Sequence, residues 1–189
     1  MKILVIDNYD SFTYNLVHYV ESITNVYVDV FRNDEIDIEN IDNYEKIILS
    51  PGPGLPDDAG VLKNLIEKYY KTKSIFGVCL GMQAIAEVFG AKLNNLKTVF
   101  HGVASNVQHL DNDQIIYKNI PLNFEAGRYH SWIVNKNSLP KCLSVSAYDA
   151  DNTIMSLFHN EFDVRGVQFH PESILTPFGK VMIENWVNS

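Results

Sequence analysis

Apolar runs alternate with helical spacings along the first half of the chain. Four runs of apolar residues predict buried strands, at residues 2–6, 26–31, 46–49 and 74–78. Apolar residues at helical spacing predict intervening helices at 11–22 and 59–69, and a further helix at 82–89. Buried strands that alternate with helices are typical of a parallel, doubly wound sheet.

The pattern changes after Gly90 to short runs rich in β-forming residues. They predict strands at 99–108, 114–117, 129–134, 143–147, 153–158 and 164–169, followed by a last helix at 177–187. The fold class predicted is therefore α/β, a doubly wound and mostly parallel sheet flanked by helices. A β-rich mixed or antiparallel extension is expected in the C-terminal half. Because the chain has 189 residues and no linker-like segment, we expect a single domain over 1–189.

Composition excludes several functional classes. The net charge is −8, from 15 basic and 23 acidic residues, which is unfavourable for binding a nucleic-acid backbone. The sequence contains neither a run of about 18 apolar residues nor a secretory signal pattern, so we expect no membrane association. Two cysteines, Cys79 and Cys142, do not form a disulfide framework, which favours the reducing cytoplasm.

The most informative segment surrounds Cys79. The cysteine stands between Gly77 and Gly81, directly after a predicted strand and before a predicted helix. This is the thiol version of a nucleophile elbow, in which glycines permit a sharp turn and the helix N-terminus favours a thiolate. A cysteine alone is as often a buried structural residue, so the interpretation needs a base and an acid elsewhere in the chain.

His170 and Glu172 supply that pair of groups. Side chains two positions apart in extended backbone point to the same side, so both can project from the end of the strand predicted at 164–169. A histidine can take the thiol proton, and an acid can hold the imidazole in the required tautomer. Together with Cys79, the pair predicts a catalytic triad.

A loop of alternating Pro and Gly follows the strand at 46–49. Its glycine N–H groups can approach a ligand without obstruction from side chains. If the loop lies at the carboxyl end of a neighbouring parallel strand, the N–H groups of Gly54 and Leu80 could form an oxyanion hole.

These motifs together resemble the class I, or triad-type, glutamine amidotransferases. The segments 7–16, 127–131 and 166–174 look like the glutaminase subunit of anthranilate synthase or of 4-amino-4-deoxychorismate synthase, and the wording of 126–132 favours the former. The resemblance implies that glutamine is the substrate and that no cofactor is needed for its hydrolysis. It also implies that Gly52, Gly54, Gln83 and the backbone of Ser131 and Trp132 bind glutamine.

Ammonia released by so short a chain needs a separate enzyme that uses it. The resemblance identifies this partner as a chorismate-binding synthase subunit, component I of either synthase. Two other classes of protein remain open: a cysteine peptidase or related thiol hydrolase, and a binding module without catalysis.

Other polar residues are assigned lesser roles. Asp7 and Asp10 flank a segment expected to cap the first helix and shape the rim of the site, and no metal site is predicted. His130 is a rival base, but no acid stands at an orienting position. The remaining histidines and Cys142 are expected to be ordinary structural residues; the histidines are His18, His101, His109 and His159.

Overall fold

The computed structural model describes residues 1–113 and 115–189. Strands and helices alternate in the first half. In chain order they are β1 (Ile3–Asp7), α1 (Thr13–Thr24), β2 (Asp29–Arg32), β3 (Lys46–Leu49), α2 (Leu62–Tyr69), β4 (Ser74–Val78) and α3 (Leu80–Val88). The second half adds β5 (Leu93–Asn95), β6 (Val103–His109), β7 (Asn123–Arg128), β8 (Trp132–Val134), β9 (Leu143–Asp149), β10 (Ile154–His159), β11 (Val164–Val167) and α4 (Gly179–Val187).

Nine of the strands in the described residues form one mixed sheet. Their order is β2-β1-β3-β4-β11-β10-β9-β6-β7. The five from β2 to β11 are parallel to one another, and the four from β10 to β7 continue the sheet in antiparallel pairing. The strands β5 and β8 form a separate antiparallel pair. The α/β class, the parallel sheet and the antiparallel extension are therefore confirmed.

Helices cover both faces of the parallel strands. One apolar cluster joins α1 and α4 to the sheet through residues such as Leu16, Phe76 and Trp186. The opposite cluster joins α2 and α3 to it through residues such as Leu65 and Ile85. Neighbouring residues of one strand contribute to opposite clusters because strand side chains alternate between faces.

Several predicted boundaries differ from the structure. The strand predicted at 26–31 begins at Asp29, the one predicted at 129–134 begins at Trp132, and β5 and β7 were not predicted. Residues 115–117 of the predicted strand 114–117 form a turn, while Gln114 lies outside the described residues. The turn forms because the side chain of Asp113 accepts the Ile115 N–H and its carbonyl accepts the Tyr117 N–H.

Helix lengths bear on membrane association. Among the described residues, no helix has the length and apolar character needed to cross a bilayer.

Candidate active site

Cys79 occupies a strained turn between β4 and α3. Its backbone has φ 51° and ψ −100°, a combination that non-glycine residues rarely adopt. The thiol-bearing residue is the N-cap of α3, so the unpaired N–H groups of the first helical turn lie beside it. Backbone strain of this kind costs about 1–3 kcal/mol and persists where surrounding structure enforces it.

Close packing around the turn explains the two flanking glycines. A Cβ added to Gly77 would lie 2.5 Å from the carbonyl carbon of Gly81. A Cβ added to Gly81 would lie 2.5 Å from the carbonyl oxygen of Leu49. Both neighbours are backbone atoms that cannot move aside cheaply, so any side chain at either position would open the turn.

The pairing of β4 with β11 brings the histidine segment to this turn. The two strands are parallel, with Val78 opposite Val167, and the Cys79 N–H donates to the Val167 carbonyl at 2.8 Å. The chain therefore leaves both strands at the same edge of the sheet. Ligands of doubly wound sheets bind at this carboxyl edge.

His170 and Glu172 form a buried pair. Nδ1 of His170 lies 2.7 Å from Oε1 of Glu172, and their side chains are 3% and 0% exposed. The other ring nitrogen, Nε2, is buried and makes no conventional hydrogen bond to the described residues. Burial alone lowers the pKa of His170, but interactions with the Cys79 and Glu172 side chains outweigh it and raise that pKa to about 10. The site thus favours an imidazolium beside the thiol.

Backbone and side-chain contacts fix the position of His170. Its N–H donates to the Gly127 carbonyl at 2.9 Å, and its carbonyl accepts the Thr176 hydroxyl at 2.6 Å. The same hydroxyl accepts the Gly127 N–H at 2.9 Å, which closes a small network. The Tyr129 ring packs against the imidazole, with 4.7 Å between centroids.

The Pro-Gly loop lies beside the cysteine, as expected. Asn8 anchors the start of the loop, since its N–H donates to Ser50 Oγ and its side-chain amide donates to the Ser50 carbonyl, both at 2.8 Å. A Cβ added to Gly52 would lie 2.4 Å from the Asn8 carbonyl oxygen and 2.9 Å from Cδ2 of Leu80. Gly54 has φ 77°, a conformation that favours glycine.

One cavity unites most of the predicted residues. It measures about 250 Å³, smaller than the roughly 300–1,000 Å³ common for drug-sized ligands. Its lining includes Gly52, Gly54, Cys79, Gln83, Ser131 and Trp132. Leu80 is the first residue of α3, so its N–H has no acceptor within the helix.

A second cavity lies on another side of Cys79. It measures about 340 Å³, and its lining includes Asp10, Phe12, Cys79, Tyr129 and His170. Cys79 and His101 line both cavities, so the thiol separates two spaces of comparable size. His101 is therefore nearer the site than an ordinary structural histidine.

Gln83 reaches a residue that the sequence reasoning did not single out. Its Nε2 lies 2.9 Å from the Trp132 carbonyl oxygen and 3.2 Å from Oε1 of Gln168. Gln168 is fully buried, and its Nε2 lies 3.5 Å from the Cys79 sulfur. The available signal was its place two positions before His170, because alternate residues of extended backbone share a side.

The rival base His130 is held neutral. Burial, aided by the charge of Arg128, lowers the pKa of His130 to about 3. Arg128 Nε donates to His130 Nε2 at 3.1 Å, so the lone pair that a base would need is already engaged.

The remaining polar residues serve local structure. Oδ1 of Asp7 accepts the Tyr9 N–H and the Thr13 hydroxyl, and Oδ2 of Asp10 accepts the Phe12 N–H. The expected N-cap at Asp10 or Ser11 is wrong, because Phe12 occupies that position. His18 is exposed, whereas His109 and His159 are buried against aromatic rings, and Cys142 is half-buried. Across residues 1–113 and 115–189, no three His, Cys, Asp or Glu side chains converge as a metal site.

Comparison with known proteins bears on the family and the fold. The family model described as glutamine amidotransferase class-I matches residues 4–189. The crystal structure of a putative GMP synthase component from Thermoplasma acidophilum superposes with a TM-score of 0.88 at 25% identity. The match covers 100% of this chain and 92% of that one.

Two curated relatives are more similar in sequence. The aminodeoxychorismate/anthranilate synthase component 2 of Bacillus subtilis is 43% identical over 189 residues, covering 99% of this chain and 96% of that protein. The bifunctional protein TrpGD of Thermotoga maritima is also 43% identical, over 190 residues and 99% of this chain. This chain spans only 32% of that longer relative.

Proposed function

Because the chain belongs to the class I glutamine amidotransferases, we propose that it is the glutaminase subunit of an anthranilate synthase. In this role it hydrolyses glutamine and passes ammonia to a chorismate-binding synthase subunit, in tryptophan biosynthesis in the cytoplasm. The observation that carries the chemistry is the meeting of Cys79, His170 and Glu172 at one edge of the sheet.

The first half-reaction is acyl transfer to sulfur. The Cys79 thiolate attacks the side-chain amide carbon of glutamine and forms a tetrahedral oxyanion. His170 then protonates the amide nitrogen, the carbon–nitrogen bond breaks, and ammonia leaves a thioester behind. The N–H groups of Gly54 and Leu80 stabilise the oxyanion, a contribution worth about a hundredfold or more in rate per donor.

The second half-reaction restores the enzyme. His170 takes a proton from water, and the resulting hydroxide attacks the thioester carbon. Glutamate leaves and the thiolate is regenerated, while Glu172 holds the imidazole in one orientation throughout. Thiolate, base and oxyanion donors supply every group that this hydrolysis needs, so we propose that the glutaminase reaction uses no metal or organic cofactor.

The small cavity supports glutamine as the substrate. Gly52, Gly54, Gln83, Ser131 and Trp132 are proposed to hold its amino-acid end, and all five line the space beside the thiol. A peptidase would need an open cleft for an extended chain, whereas this cavity measures about 250 Å³.

The face around the site supports a docked partner. Three apolar side chains on or near the two cavities are exposed: Tyr9 at 49%, Val99 at 68% and Ile174 at 93%. Apolar residues grouped beside a reactive centre mark a surface that another protein can cover. A covering subunit would also keep ammonia from escaping into water.

A second candidate is the glutaminase subunit of 4-amino-4-deoxychorismate synthase. It is favoured by the similarity to the Bacillus subtilis protein, whose name joins both activities. The two candidates share this subunit's chemistry and differ in the aminated product of the partner.

The test combines the purified chain with each component I subunit, chorismate and glutamine. We expect glutamine-dependent anthranilate formation that Cys79→Ser abolishes, while ammonia-dependent synthesis by the partner continues. Aminodeoxychorismate as the product would favour the second candidate. Unchanged glutamine use by Cys79→Ser, or turnover of a peptide without ammonia release, would contradict the proposal.

A further inference from the structure

Gln168 lies at the junction of the two strands that build the site. It directly follows Val167, the residue of β11 that pairs with Val78, and its side chain is fully buried. Its backbone is held by a bond from its N–H to the Met155 carbonyl at 2.8 Å. The side-chain amide has a polar contact at each end, to Gln83 and to Cys79.

These contacts determine which way the amide points. The Trp132 carbonyl can only accept, so the Gln83 atom that lies 2.9 Å away must be its NH₂ group. That group has a second hydrogen, and it lies 3.2 Å from the Gln168 amide, which must therefore present its oxygen. The nitrogen of Gln168 is left facing the Cys79 sulfur at 3.5 Å, an ordinary N–H···S distance.

We propose that Gln168 is a positioning residue that donates a hydrogen bond to the Cys79 thiolate, and that Gln83 keeps its amide in the donating orientation. The inference rests on the proposed role of Cys79 as the nucleophile. It adds a neutral donor beside the His170 imidazolium, so the buried thiolate is stabilised without a further proton to transfer. It also connects the sulfur to Trp132, in the segment proposed to hold glutamine.

The arrangement assigns Gln83 a task besides contact with substrate. Both hydrogens of its NH₂ group are engaged by Trp132 and Gln168. Only its oxygen remains for a ligand, and an oxygen can accept from the α-ammonium group of glutamine but cannot bind its carboxylate.

The experiment measures the alkylation rate of Cys79 by iodoacetamide as a function of pH, without glutamine. A Cys142→Ser background removes the other thiol. Gln168→Met, which keeps the length of the side chain and loses the donor, is expected to move the midpoint upward by about one pH unit. Ser156→Ala is the matched control, because it removes a buried hydroxyl that bonds Tyr117 and Ser146 and does not contact Cys79.

Gln83→Met provides a second variant that leaves Gln168 in place. It is expected to move the midpoint in the same direction by a smaller amount, and the double variant is expected to match Gln168→Met. A Gln168→Met profile that superimposes on the parent would overturn the proposal, as would an equal shift in Ser156→Ala. If Gln168→Met does not fold, an unshifted Gln83→Met profile overturns it instead.

Failure of this inference can be told from failure of the proposed function. A parent protein that releases ammonia from glutamine, with no shift in the variants, contradicts only the role of Gln168. A parent protein that shows the shifts but never releases ammonia contradicts only the glutaminase assignment.

Discussion

Nδ1 of His170 lies 2.7 Å from Oε1 of Glu172, and neither side chain is more than 3% exposed. The carboxylate therefore fixes the proton on Nδ1 and leaves Nε2 for exchange with the thiol and the substrate. The pair belongs to a loop and not to a strand, because β11 ends at Val167. Its geometry depends on the surrounding contacts as much as on its own bond.

Replacing Glu172 with Gln is expected to lower kcat for glutamine hydrolysis by on the order of 10²–10⁴-fold. The amide NH₂ would face Nδ1 and force the hydrogen of the imidazole onto Nε2, which is the wrong tautomer for a base. Steady-state ammonia release measures the effect. Glu161→Gln changes an exposed carboxylate and serves as the control; equal losses in both variants would contradict the role of Glu172.

The raised pKa of His170 has a consequence for stability. Since that pKa rises from 6.5 to about 10 on folding, its stabilising contribution is complete below pH 6.5 and disappears as pH rises through 10. Glu172→Gln removes part of the rise, so the difference in unfolding free energy between wild type and variant should shrink over this range. Urea denaturation at pH 6, 8 and 10 measures it. A difference that stays constant or grows would contradict the charged pair.

Replacing Thr176 with Val is expected to destabilise the protein by about 1–3 kcal/mol and to lower kcat more than it changes KM. The change leaves the buried Gly127 N–H without its acceptor and removes the 2.6 Å bond to the His170 carbonyl. Thr176→Ser keeps the hydroxyl and should retain most of the activity. Similar kinetics for the two variants would show that the network does not position His170.

The ion pair of Arg128 and Asp149 is expected to matter more than any exposed one. Their side chains are each 3% exposed and the charged atoms lie 2.7 Å apart. Arg128→Met strands a buried carboxylate and should cost about 3–5 kcal/mol in unfolding free energy. Adding Asp149→Asn should recover part of the loss. Lys68→Ala breaks an exposed bridge to Glu39 and should leave the urea midpoint nearly unchanged.

The parallel half of the fold was predictable because its strands are continuous apolar runs. The bounds predicted for β3 and β4 agree with the structure, and the first apolar run differs from β1 by one residue at each end. β7 was missed because its residues, from Asn123 to Arg128, mix polar side chains with a glycine. Its strand conformation comes from pairing with β6, which is a tertiary effect that local pattern does not contain.

The site was predictable in its chemistry but not in its supports. Cys79, His170 and Glu172 could be selected because each carries a distinctive group at a revealing spacing. The bond from Gln168 to the sulfur depends on β11 lying next to β4, a neighbour relation between residues about ninety positions apart. The neutral state of His130 likewise depends on Arg128, whose position requires the sheet extension.

The place of β11 in the sheet also governs when reactivity can arise. This late strand lies between β4 and the antiparallel extension, so it is inserted after the elbow segment has been made. A nascent chain that has emerged only as far as α3 carries the thiol but has no imidazole to activate it. Chemical competence therefore coincides with completion of the sheet, and partly synthesised copies cannot consume free amino acid.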